Sequence, residues 1–120
     1  MNQIKVSIIT VCFNSEKTLL ETINSVKYQS YKNIEYIIID GLSSDDTLKI
    51  IKDNKEIVDY YVSEKDNGLY DAMNKGIELA SGDIISILNS DDIYASNEVI
   101  ENIVEVYLKD KSIDIIFGNI

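Results

Sequence analysis

The segment Ile84-Ile85-Ser86-Ile87-Leu88-Asn89-Ser90-Asp91-Asp92 carries the densest chemistry in the chain. An apolar, strand-forming run stops, and an amide, a hydroxyl and two carboxylates follow in consecutive positions. Two bare carboxylates held ~4 Å apart at an effective dielectric of ~20 repel by about 4 kcal/mol. A divalent cation turns that repulsion into a binding site, because hard cations take oxygen ligands. The same residues also suit a solvated loop whose Asp caps the next helix, so the reading depends on what the rest of the chain brings beside them.

The chain has 120 residues, of which 45% are hydrophobic, enough for one globular domain with a single core. Its net charge is −10, and every cationic side chain is Lys. That balance argues against nucleic acid as a partner, since phosphates need a basic surface. Without His, neither Ser-His-Asp nor Cys-His catalysis can operate within these residues. The single Cys12 makes neither a disulfide nor a thiolate zinc site. A metal bound here would therefore be Mg²⁺, Mn²⁺ or Ca²⁺ on oxygen ligands. No signal peptide opens the chain, and no apolar run approaches the ~18 residues of a membrane span. The expectation is a cytoplasmic domain, with peripheral membrane attachment left to a segment outside these residues.

The elements that must position the acidic run alternate in period. Ile4–Val11 reads as a buried strand, followed by a helix capped at Asn14 or Ser15 with Leu19, Ile23 and Val26 on its apolar face. Ile34–Ile39 is a second strand, ending at Asp40-Gly41. Ser43 or Ser44 opens a second helix, with Asp45 and Asp46 in its first turn, where the dipole favours anions. Asp59–Ser63 reads as a short strand. Leu69–Ser81 reads as a helix closed by Gly82, and Ile84–Leu88 as the fourth strand. Ser96 is positioned to cap a helix carrying Val99, Ile100, Ile103, Val104 and Tyr107, and Ile113–Phe117 reads as a fifth strand.

Strand and helix in alternation with short links predict an α/β domain with a mostly parallel sheet, right-handed crossovers and helices on both faces. Ligands of such sheets bind beyond the carboxyl ends of the strands. That rule selects Asn14, Asp40 and the Asn89–Asp92 segment. No GxGxxG or GxxxxGK[ST] supplies a glycine-rich phosphate cradle. An acidic domain without Arg binds a diphosphate poorly unless a metal bridges carboxylate and phosphate.

Four segments together resemble the amino-terminal half of family 2 glycosyltransferases. They are Val6-Ser7-Ile8-Ile9-Thr10-Val11-Cys12-Phe13-Asn14-Ser15-Glu16, Asp40-Gly41-Leu42-Ser43-Ser44-Asp45-Asp46-Thr47, Asp66-Asn67-Gly68-Leu69-Tyr70-Asp71-Ala72-Met73-Asn74-Lys75-Gly76, and Leu88-Asn89-Ser90-Asp91-Asp92. The resemblance covers almost the whole chain. It implies the Rossmann-like GT-A nucleotide-diphospho-sugar transferase fold, truncated to its donor-binding half. It also implies transfer of a sugar from a nucleoside-diphosphate donor, often a uridine diphosphate one, to an acceptor hydroxyl with inversion, in glycan or polysaccharide synthesis.

On that resemblance Val11, Phe13, Asn14 and Glu16 line the nucleobase pocket, and Phe13 either packs on the base or belongs to the core. Asp40 binds base or ribose, or forms a turn before Gly41. Asp91 matches the metal-contacting second acid of the family's DXD element, with Asp92 beside it, and the cofactor is Mn²⁺ or Mg²⁺. Asn89 replaces the first acid of that element and Ser90 stands between them. Asp66, Asp71 and Asn74 face the sugar or hold the pocket, and Lys65 or Lys75 pairs with phosphate. The catalytic base and the site for a glycan or lipid-linked acceptor are expected after Ile120, which leaves these residues weakly active alone and an exposed strand edge open to self-association.

Three other readings compete. A non-catalytic nucleotide-binding α/β module uses the same crevice without a metal. A receiver-like signalling domain needs an acidic pair after the first strand and a Lys closing the fifth. Val11–Asn14 has no acid, and the fifth strand runs into Gly118-Asn119-Ile120. An acidic interaction protein leaves the alignment of polar strand ends unexplained.

Overall fold

The computed structural model describes residues 4–110 and 115–117. Strand β1 (Val6–Cys12) is buried along its whole length, as its unbroken apolar and β-branched sequence requires of a central parallel strand. It pairs in parallel with β2 (Ile34–Asp40) on one side and β4 (Ile84–Ile87) on the other. Beyond β2 lies β3 (Tyr60–Ser63), and beyond β4 lies β5 (Ile115–Phe117), so the parallel sheet runs β3-β2-β1-β4-β5. The expected first residues of the fifth strand, Ile113 and Asp114, lie outside the described residues.

Alternation along the strands divides the core. Val6, Ile8 and Cys12 of β1 and Tyr36 and Ile38 of β2 face α1 (Leu19–Lys27), α2 (Thr47–Asp53) and α4 (Val99–Lys109). Ile9, Val11, Ile37 and Ile39 face α3 (Leu69–Leu79) alone. Helices thus cover both faces, as expected. One connection departs from the expected right-handed rule. Because α4 shares a face with α1 while β5 lies on the opposite flank from β2, the β4–α4–β5 crossover has the opposite hand to β1–α1–β2. What holds α4 there is the segment just after α1: Gln29 accepts from Ile100 N at 3.0 Å and donates to Ser96 O at 2.7 Å, and Ser30 N donates to Asn97 O at 2.7 Å.

The expected caps shift by a few residues. α1 begins at Leu19 rather than after Asn14 or Ser15, because both of those are bound to the loop leading into α2. α2 begins at Thr47, with Asp45 accepting from Thr47 N at 2.9 Å. The Ser96 hydroxyl accepts from Glu98 N, at 3.2 Å, and Gln29 takes the capping role at α4. Gly82 is not a left-handed helix cap: α3 ends at Leu79, and Ala80 is already extended. Gly82 is there for space. A Cβ on it would lie 2.7 Å from Ser7 N and 2.9 Å from Lys5 O, main-chain atoms that cannot turn aside.

At the opposite end of the sheet from the acidic loops sits a buried carboxylate. Glu35, 5% exposed, accepts from Ser7 Oγ at 2.8 Å, Ser81 N at 2.9 Å and Ser81 Oγ at 3.0 Å, and pairs with Lys5 at 3.2 Å. Desolvation pushes its pKa up, but these donors outweigh it and hold the carboxyl below the ordinary glutamate value. A folded-state pKa below the unfolded one stabilises the fold above the unfolded value and loses that stabilisation as pH falls through the folded one. Glu35→Ala should therefore cost about 2–3 kcal/mol at neutral pH, the scale of charge-assisted hydrogen bonds. The gap from wild type should shrink as pH falls below 4.5, as read by urea unfolding across that range. Gly82→Ala should cost about 1–3 kcal/mol in the same measurement, with no such pH dependence.

Candidate functional site

The carboxyl ends of β1, β2 and β4 open into a cleft of about 940 Å³, where the topology of a parallel sheet places ligands. β1 delivers Val11, Cys12 and Phe13, and the turn before α1 adds Asn14, Ser15 and Glu16. The loop after β4 adds Asn89, Ser90 and Asp91, and the loop into α3 adds Lys65, Asp66 and Gly68. Nine residues selected from sequence therefore meet around one cleft: Val11, Phe13, Asn14, Glu16, Lys65, Asp66, Asn89, Ser90 and Asp91.

Phe13 is not core. It is 63% exposed and offers a flat aromatic face to the cleft. Asn14 adopts a left-handed φ of 49°, which asparagine tolerates better than most residues. Its side chain accepts from Ser44 N at 2.9 Å while its own N–H donates to Ser43 Oγ at 2.8 Å. Glu16 accepts from Asp46 N at 3.0 Å. The first strand end and the loop into α2 thus brace one another across the mouth of the cleft.

Asp40 lies beneath the cleft, not in its wall. It is the last residue of β2, and alternation turns its side chain inward with Tyr36 and Ile38. There the fully buried carboxylate accepts from Ser63 Oγ at 2.7 Å, Ser43 N at 3.1 Å and Ser43 Oγ. Those bonds close the Asp40–Ser43 turn. The left-handed residue in that turn is Leu42, with φ 66°, rather than Gly41. A leucine there costs about 1–2 kcal/mol, and the two donors on Ser43 hold it. A Cβ on Gly41 would approach Asp66 Oδ2 to 2.9 Å, so a larger residue there would push on that side chain. Cys12 beside Asp40 is inert: burial first, then the Asp40 charge, pushes its thiol far above the ordinary range.

Three more selected residues fall outside the wall. Asp71 accepts from Asn67 N at 2.9 Å, closing the start of α3. Asn74 points to solvent from α3. Asp92 contributes its N–H to a turn with Asn89 O at 3.0 Å, and its carboxylate does not reach the cleft. Lys75 turns away toward acids, 2.6 Å from Asp66, 3.7 Å from Asp71 and 3.8 Å from Glu64. The hydrogen bond to Asp66 and those charges, against some desolvation, hold its ammonium above the ordinary lysine range. It acts on the protein by fixing Asp66 in the wall.

The electrostatics of the wall follow. Glu16, Asp45, Asp66 and Asp91 line it against Lys17 and Lys65, so a naked diphosphate meets net negative charge. Asp45 stays ionised: desolvation raises its pKa, but hydrogen bonds from Thr47 and Glu16 outweigh that and lower it. Asp91 differs from the other acids, being exposed and receiving no hydrogen bond from any described residue. Among the described residues no three acidic, His or Cys side chains converge as a complete metal cage. The wall fits instead a shared cation, because Mg²⁺ and Mn²⁺ commonly take one or two carboxylates plus phosphate oxygens and water. Asp91 and the Asn89 amide would be the protein's ligands.

Sequence reasoning passed over Thr22. It recurs at helical spacing with Leu19, Ile23 and Val26 on the buried face of α1, and a hydroxyl inside an apolar stripe must find a polar partner. Its partners are main-chain carbonyls of the acidic loop, at Ser90 and Asp92.

Comparisons with known proteins identify the family and the fold. The model of the family "Glycosyl transferase family 2" matches residues 7–120. A glycosyltransferase of Mycobacterium tuberculosis is 43% identical over 101 residues, covering 83% of this chain and 38% of its own. The Escherichia coli UDP-Glc:alpha-D-GlcNAc-diphosphoundecaprenol beta-1,3-glucosyltransferase WfgD is 34% identical over 120 residues, covering 99% of this chain and 47% of its own. The chain thus spans less than half the length of these curated relatives. The mannosyltransferase PcManGT of Pyrobaculum calidifontis, solved with GDP-Man and Mn²⁺, superposes with a TM-score of 0.79 at 20% identity over 88% of this chain and 33% of its own, a likeness of fold alone. No helix among the described residues is long and apolar enough to cross a membrane. With a parallel α/β sheet of the GT-A type, polar strand ends gathered at one cleft and a family match over nearly every residue, the chain belongs to glycosyltransferase family 2.

Proposed function

We propose that these residues form the donor-binding part of a metal-dependent, inverting glycosyltransferase that moves a sugar from a nucleoside-diphosphate sugar to an acceptor hydroxyl in glycan synthesis. The observation that carries the reading is the pairing of an exposed aromatic face, Phe13, with an unengaged carboxylate, Asp91, across one acid-lined cleft. A nucleotide needs both, a surface on which to stack the base and compensation for its phosphates. Uridine diphosphate is the proposed carrier, supported by WfgD, which uses UDP-Glc and whose identity extends along almost all of this chain. The same relative acts on a diphosphoundecaprenol-linked sugar, which supports a lipid-linked glycan as acceptor.

In this reading Phe13 and Val11 hold the base, while Asn14 and Glu16 keep the strand end and the loop after β2 at fixed separation around the ribose. Asp66, clamped by Lys75, presents a carboxylate to donor hydroxyls, since carboxylates accept well from such groups. Asp91 with Asn89 would hold Mn²⁺ or Mg²⁺, which when bound supplies charge neutralisation to a departing diphosphate. No described residue is assigned as the base that deprotonates the acceptor. The donor half of the reaction is what this wall can perform: bind, orient and neutralise.

Calorimetric titration of UDP in Mn²⁺ and in EDTA tests the reading. Mn²⁺ should tighten UDP binding at least tenfold in wild type and leave Asp91→Ala unchanged. Phe13→Ala should weaken binding about tenfold in both buffers, as expected for a stack worth ~1–3 kcal/mol. Equal binding with and without Mn²⁺ in wild type would instead favour a nucleotide-binding module without transfer chemistry.

A further inference from the structure

Asp91 sits on a loop, and a loop carboxylate is useful to a ligand only if its main chain is held. The turn between Asn89 O and Asp92 N fixes one chord of that loop, and the Ser15 and Ser90 hydroxyls, 2.9 Å apart, tie its flank to the turn before α1. The first holds the N–H of the peptide that follows Asp91, and neither reaches the carbonyls of Ser90 and Asp92. Thr22 does. Its Oγ1 lies 2.9 Å from Ser90 O and 2.7 Å from Asp92 O, the carbonyls immediately before and after Asp91 in sequence.

The chemistry of that contact is specific. A helical threonine ordinarily returns its proton to the carbonyl four residues back. Here that carbonyl, Thr18 O, is 3.5 Å away, at the limit of a hydrogen bond, while both loop carbonyls are closer. One hydroxyl has one proton, so it donates to one loop carbonyl at a time, the nearer being that of Asp92. The side chain is fully buried, so no water can take over the donation. Removing the hydroxyl would leave the carbonyls of Ser90 and Asp92 without this donor, and the loop would relax to find another.

We infer that Thr22 is a positioning residue for the cation and diphosphate site, gripping the main chain on either side of Asp91 so that its carboxylate projects into the cleft. It touches neither nucleotide nor ion and acts through Asp91. The inference rests on the donor-site reading above, and it deepens that reading by naming what makes a single loop carboxylate an effective ligand. Residues that orient metal ligands typically alter affinity by ~10–100-fold when replaced.

The test compares Thr22→Val, which keeps the shape and removes the donor, with Thr22→Ser, which keeps the donor. Two readouts are taken: Mn²⁺ affinity in the presence of UDP by electron paramagnetic resonance, and amide hydrogen exchange along the chain. Thr22→Val should weaken Mn²⁺ by about tenfold or more and speed exchange at residues 90–92. UDP binding in EDTA and exchange within β1 should stay at wild-type levels, and Thr22→Ser should restore both readouts to within about twofold. Unchanged Mn²⁺ affinity with unchanged loop exchange in Thr22→Val would overturn the inference. So would a uniform rise in exchange across β1, α1 and the loop, because that is the signature of a merely structural residue. Should Thr22→Val not fold, Thr22→Ala is read in the same way. If wild type itself binds no Mn²⁺ with UDP, the donor-site reading fails along with this one. Failure confined to Thr22→Val leaves that reading standing and removes only Thr22.

Discussion

Like charges gathered at the carboxyl ends of a parallel sheet must be tied down or compensated, and this constraint organises everything around the cleft. Asp40 is tied by Ser43 and Ser63, Asp45 by Thr47, Asp66 by Lys75 and Glu16 by a main-chain amide. Each of these acids has been given donors from the protein, and in accepting them each fixes a loop. Asp91 is the lining acid left to be compensated from outside. The wall is therefore a set of braces around one carboxylate that faces solvent, and the charge it lacks is the charge a divalent cation carries.

The braces explain why so much polar sequence lies between so few elements. The turn before α1 and the loop into α2 exchange hydrogen bonds through Asn14, Ser15 and Glu16. α1 then reaches the loop after β4 through Thr22, and the segment just after α1 reaches α4 through Gln29. One short helix and the turn that follows it consequently set the position of two neighbouring segments through buried polar side chains. Such fully partnered buried polar groups specify an arrangement more than they add stability. The core itself is apolar, aliphatic in the main, and divided by the sheet.

The fold was largely readable from the sequence because β-branched runs and helical spacing alternate without ambiguity from Val6 to Lys109. The strands and helices differ from their expected bounds by only a few residues. Placement around the cleft was readable where main-chain topology alone decides it: Val11, Phe13, Asn14, Asn89 and Asp91 stand at or just beyond strand ends, and strand ends converge. It was not readable where the direction of one side chain decides it. Asp40 stands at a strand end as well, but period-two alternation turns it under the cleft. Asp71 falls outside the wall because it closes the start of α3, and Asn74 because it lies on the solvent side of that helix. Thr22 escaped notice because a single hydroxyl within an apolar stripe is an ordinary sight, and only the distance to two carbonyls distinguishes it. The hand of the last crossover was likewise set by tertiary ties from Gln29 and Ser30 that no local pattern announces.

The central claim is that one ion bridges Asp91 and a pyrophosphate whose base lies on Phe13. Anomalous diffraction at the manganese edge from crystals of the chain grown with UDP and Mn²⁺ tests it most directly. A single manganese peak bonded to an Asp91 oxygen and to oxygens of both phosphates, with the uracil ring stacked on Phe13, is the expected result. A diphosphate bound by lysines alone, or manganese bound away from Asp91, would contradict it.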